Sequence, residues 1–179
     1  RGRAPRSRDG LLRPGPPGSW DGGYLHTAGN LIEMGDTWRL PYGGYPIPHK
    51  YPRLDAGRRC LYRGVPSGVG YAIWPRGRLV ALEAPDEGFF WTVPLRPAGN
   101  RMHINASIAP SGCISVGVQG KGQVPKRWLD DCDPLTGRDG LALPVTWRGE
   151  AVIPLPEEPV AFFFQMRRAR LFGVEFDQE

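Results

Sequence analysis

Met102-His103-Ile104-Asn105-Ala106-Ser107-Ile108 alternates apolar and polar residues without a break. A period of two marks a strand with one buried and one open face. Ile114-Ser115-Val116-Gly117-Val118-Gln119 repeats the pattern, and Pro110-Ser111-Gly112 between them has the composition of a turn. Outward from this pair, residues 79–83, 89–93 and 145–147 alternate in the same way, with Trp147 in phase with Val145 and so predicted to be buried. Residues 160–166 and 171–176 read as a closing hairpin. No segment of a dozen residues keeps helical spacing. About eight short strands at regular intervals predict an all-β chain, an antiparallel, jelly-roll-like β-sandwich.

Composition agrees with that class. The 179 residues include 25 Gly and 20 Pro, which punctuate short apolar runs, and 6 Trp, 7 Phe and 6 Tyr, enough to fill a core. The net charge of +5 is concentrated at one end: Arg1, Arg3, Arg6, Arg8 and Arg13 face one acid, Asp9, and the rest of the chain is near neutral. This segment reads as a solvated linker in preference to a polyanion-binding arm, which argues against nucleic acid as a partner. Cys60, Cys113 and Cys132 form no disulfide framework and no metal-type spacing; they suit a reducing, cytoplasmic compartment, with Cys113 read as a small core residue. No apolar run approaches the roughly 20 residues of a membrane-spanning helix, so no membrane partner is expected. The Arg-rich start lacks the apolar segment of a signal peptide and begins without Met, and the chain is expected to be part of a longer precursor.

Three segments follow: a linker over 1–19, an aromatic segment over 20–64, and the sandwich over 65–179. In the second, Tyr24–Ala28 and Leu31–Met34 flank Gly29-Asn30, and Gly35-Asp36 turns the chain into a strand from Thr37. Two or three strands cannot bury both faces alone, so this hairpin needs neighbours.

No phosphate loop, paired-His metal motif or nucleophile elbow is complete, and no cofactor is expected. Asp21, Glu33 and Asp36 are carboxylates of the type a glycosidase pairs, though Asp36 is more simply a turn former. Asp130-Asp131-Cys132-Asp133 lacks the ligand spacing of an EF-hand loop and reads as a hydrogen-bonded loop. His103 falls on the polar phase of its strand, whereas His26 and His49 sit among aromatics. Trp20, Tyr42, Tyr45 and Tyr51 have flat faces suited to sugar rings, and core packing explains each equally well.

The runs Gly29–Asp36, Thr37–Tyr45 and Pro48–Arg53 together resemble the last blade of the five-bladed β-propeller in glycoside-hydrolase-like proteins of the invertase, levanase and arabinanase type. Trp74–Ala84, Leu129–Gly137, Val145–Gly149 and Arg170–Phe176 resemble, in the right order, parts of the β-sandwich that follows that propeller. The resemblance covers about residues 20–177. It implies a carbohydrate partner, further blades supplied by upstream sequence or a partner chain, and a sandwich that braces the propeller. It also implies that His26, Thr27, Asn30, Tyr42 and His49 line the propeller mouth as substrate-binding residues. The family's acidic motifs (Asn-Asp-Pro, Arg-Asp-Pro and Glu-Cys) are missing, so no catalytic residue is carried over, and the segment alone is expected to be inactive. The rival reading is a non-catalytic carbohydrate-binding or structural sandwich.

Overall fold

The computed structural model describes residues 11–50, 54–59, 61–62, 64–120, 127–154 and 158–178. Most of the Arg-rich segment, Tyr51 and Cys60 lie outside the described residues. The chain is all-β, with two antiparallel sheets. Among the described residues no helix is long and apolar enough to cross a membrane. Two compact units divide at Arg76/Gly77.

The first unit holds a four-stranded sheet: β1 (Tyr24–Thr27), β2 (Ile32–Met34), β3 (Thr37–Tyr45) and β4 (Gly68–Pro75). β3 is central. β1 pairs with its C-terminal half and β2 with its N-terminal half, and β4 runs along its other side. The turn at Gly29-Asn30 therefore interrupts one edge, and the chain resumes along the same partner. The placement of β4 differs from the sequence reading, which set the sandwich to begin at 65. The cause is a slot for Trp20. Its indole lies so close to Gly44, Gly68 and Gly70 that an added Cβ would come within 2.5 to 3.0 Å of the ring. Only side-chain-free positions on β3 and β4 admit it, and the indole fastens the two strands together.

The second unit is a five-stranded sheet in the order β5 (Leu82–Trp91), β9 (Ala161–Asp177), β6 (Arg101–Gln119), with β7 (Leu135–Thr136) and β8 (Asp139–Pro144) sharing the far edge of β6. Met102, Ile104, Ala106, Ile108, Ile114, Val116 and Val118 project from β6 into the core, as the alternation predicts. Cys132, Val145, Trp147 and Ile153 close over them as a sandwich-like second layer, built from short bridges that join Trp147 to Cys132 and Glu150. Trp147 and Val145 are fully buried.

Two predicted turns are bulges instead. β6 runs through Pro110-Ser111-Gly112 without reversing, and the pairing steps from Ile108↔Ala169 to Cys113↔Arg167. Four residues of β6 thus stand opposite Arg168, which takes a left-handed φ of 45°. The same irregularity makes β9 one strand where a hairpin was expected. Its inward residues run Phe162, Phe164, Met166, then Ala169 and Leu171, then Val174 and Phe176. The phase slips once at Arg168 and again at Phe172, so a strict period-two reading breaks where the strand does not.

Cys113 lies on the opposite phase from Ile114 and is half-buried; the core thiol is Cys132. Burial pushes that thiol up to about 11, although the Val116 N–H donates to its sulfur at 3.2 Å. The acidic loop is hydrogen-bonded, as expected. Buried Asp131 pairs with Arg148, and Asp133 accepts from the Thr146 hydroxyl and the Gly149 N–H, each at 2.7 Å. Half-buried His103 faces Asp177 at 3.5 Å.

Candidate functional site

The β1–β3 ladder sets Tyr24 opposite Tyr45, His26 opposite Gly43 and Thr27 opposite Tyr42. The direct opposition of Tyr24 and Tyr45 stacks their rings at 4.4 Å and 4°, and His49 meets Tyr24 edge-on at 5.2 Å. Tyr42 lies on the other phase of β3 and stacks on Trp20 at 5.6 Å. Its hydroxyl donates to Asp21 Oδ2 at 3.3 Å, while the Ser19 hydroxyl holds Oδ1 at 2.8 Å. Partial desolvation, then the neighbouring Asp21 charge, raises the Tyr42 phenol above its ordinary value.

His26, Thr27, Pro41, Tyr42, Tyr45 and Val69 line an open hollow of about 310 Å³. Three of the five expected site residues, His26, Thr27 and Tyr42, thus border it, His26 from one face of the sheet and Thr27 and Tyr42 from the other. Asn30 and His49 do not line it. Asn30 sits exposed in the turn between β1 and β2, and His49 is exposed and engaged with Tyr24. Tyr45 and Val69 belong to the hollow without having been expected as site residues. Tyr45 was flagged as a sugar-stacking ring, whereas Val69 enters only through the β3–β4 pairing, which no local pattern announces.

The hollow carries hydroxyls, a ring nitrogen donor or acceptor and tyrosine faces, a set that hydrogen-bonds and stacks on polyols. It has no assembled carboxylate pair. Asp21 is held by Ser19 and Tyr42, Glu33 pairs with Arg76 at 3.0 Å, and the Asp36 carbonyl accepts from the Arg76 N–H in the turn after β2. Among the described residues no group of three His, Cys, Asp or Glu side chains could hold a metal ion. Comparison with protein families, curated proteins and solved structures gives no match.

Proposed function

We propose that this chain is the C-terminal portion of a glycoside-hydrolase-like protein. In this reading the first unit is one blade of a five-bladed propeller that takes a carbohydrate at its mouth, and the second unit is the sandwich that braces it. Propeller blades are four-stranded sheets that pack against their neighbours. One observation supports the reading above the others: the first sheet leaves an apolar face open. Ile32, Met34, Tyr71 and Ile73 share that face by register, and all are exposed. Arg39 is the only charged residue at these register positions. A neighbouring blade buries such a face; water does not suit it. In the second unit the largest fully buried side chains, Trp147, Phe162 and Phe164, fill its own core.

A glycosidase holds two carboxyl groups roughly 5–10 Å apart on either side of the bond. In this reading the other blades supply them, and His26, Thr27 and Tyr42 contact the sugar. The test is calorimetric titration of fructan and arabinan oligosaccharides into a chain that includes the upstream blades. His26→Ala and Tyr42→Ala should weaken binding at least tenfold. Unchanged affinity in both variants overturns the site. Cleavage by the 179-residue chain alone, abolished by Asp21→Asn or Glu33→Gln, overturns the placement of the acids.

A further inference from the structure

β5 is an edge strand: among the described residues β9 is its only partner. An edge presents a row of unpaired main-chain groups, and proteins guard such rows with charge, proline or bulges. β5 is guarded over half its length. Glu83, Pro85, Asp86 and Glu87 occupy its N-terminal part, together with a bulge between Ala84 and Glu87. From Gly88 to Val93 there is neither charge nor proline. Phe89, Trp91 and Val93 are 73%, 51% and 76% exposed.

The direction of the free groups follows from the ladder. The Thr92 N–H donates to the Phe162 carbonyl at 2.9 Å, so Thr92 faces β9. Main-chain polarity alternates along an antiparallel strand. Gly88 and Phe90 therefore face β9 as well, and the N–H and C=O of Phe89 and Trp91 point outward.

We infer that the segment 88–93, the end of β5 and the two residues after it, pairs with the same segment of a second copy, joining two five-stranded sheets across a two-fold axis. An antiparallel strand paired about such an axis meets its own sequence, and the segment from 88 to 93 brings no like charges together. With Phe90 on the axis, Phe89 of each copy stands opposite Trp91 of the other, and both exchange their outward N–H and C=O groups. Glu87 then lies at the end of the ladder, opposite Val93. The aromatic surface suits this occupant better than a flat sugar. Trp91 and Phe89 are tilted by 36° and 50° to Phe163, so the rings share no stacking plane, yet they can interleave with a second tilted set.

The experiment is light scattering on the size-excluded 179-residue chain across a concentration series, with hydrogen exchange measured at each end of the series. The expected result is a shift to twice the monomer mass as concentration rises, with slowed exchange at the amides of Phe89 and Trp91. Phe89→Lys and Trp91→Lys, at exposed positions, should remain monomeric with an unchanged far-ultraviolet circular dichroism spectrum. A monomer at every concentration overturns the inference. So does a dimer in which those two amides still exchange freely, or one in which slowing appears at Val69, Tyr71 and Ile73 instead. The hydrogen-exchange arm reads the unmodified chain and stands if a lysine variant fails to fold.

Discussion

The indole N–H of Trp147 donates to the main-chain carbonyl of Val116 at 2.7 Å, across 31 residues of sequence and inside the core of the second unit. Val116 lies between Ile114 and Val118 in the inward β6 row, and Trp147 belongs to the layer that covers it. The Arg127 guanidinium lies 5.6 Å from the Trp147 ring and donates to the Val152 carbonyl and to Glu150, each at 3.0 Å. Arg148, next to the tryptophan, pairs with buried Asp131. The covering layer is thus fastened by one polar bond at its centre and an ion pair on each side.

Removing the ring should be costly. Trp147→Ala is expected to lose about 3–5 kcal/mol, the range of large core truncations. Trp147→Phe keeps most of the apolar contact but leaves the Val116 carbonyl without its donor, at about 1–3 kcal/mol. Urea titration followed by circular dichroism measures both, and a loss under about 1 kcal/mol for the alanine variant contradicts the burial.

Gly112 is fixed by the β6 bulge. A Cβ there would lie 2.5 Å from the carbonyl oxygens of both Arg167 and Arg168, and main chain cannot step aside as a flexible side chain can. Gly112→Ala should destabilise by about 1–3 kcal/mol. Gly29→Ala, with nothing within 4 Å, should stay within about 0.5 kcal/mol of the parent in the same titration.

Acid sensitivity should depend in part on Asp133. Hydrogen bonds from the Gly149 N–H and the Thr146 hydroxyl hold its carboxyl below the ordinary 3.8. The folded state therefore binds this proton less readily than the unfolded chain. The resulting stabilisation is complete above the unfolded value and is lost as pH falls through the folded one. Asp133→Asn should flatten the decline in stability below pH 3.8 and be most evident as a deficit near neutrality. Parallel slopes for parent and variant, measured by urea titration at stepped pH, would show that the loop bonds do not form.

The two described cysteines should separate by reactivity. The Cys132 thiol is buried and raised to about 11, and it is the thiolate that attacks alkylating reagents. At neutral pH iodoacetamide should modify half-exposed Cys113 in the folded chain and reach Cys132 only in urea. Peptide mass spectrometry distinguishes them, and rapid native labelling of Cys132 contradicts the packing of the covering layer.

The β6 core row was legible because Met102 to Ile108 alternates strictly, and an unbroken period of two leaves little choice of face. Trp147 was legible from its phase with Val145. The bulges were not. Pro110-Ser111-Gly112 has turn chemistry, and only pairing with Arg167 and Ala169, more than fifty residues away, decides that the strand continues. β4 was assigned to the wrong sheet for a similar reason: Gly68 and Gly70 look like loop residues until Trp20 is seen to need them bare. At the candidate site, Thr27 and Tyr42 converge through strand register, which a hairpin reading supplies. Asn30 and His49 carry suitable chemistry, but one lies in a turn and the other packs on Tyr24.

β9 lies between β5 and β6 in its sheet, yet it is the last of the three to be made. On the ribosome, β5 and β6 emerge with no strand to join them, and Phe90, Ile104 and Val116 wait in water until residues 161–177 leave the exit tunnel. Assembly of this sheet therefore waits for its last strand. A chain that stops short of Ala161 is left with β5 unpaired and β6 paired on one side only, a substrate for chaperones and proteases.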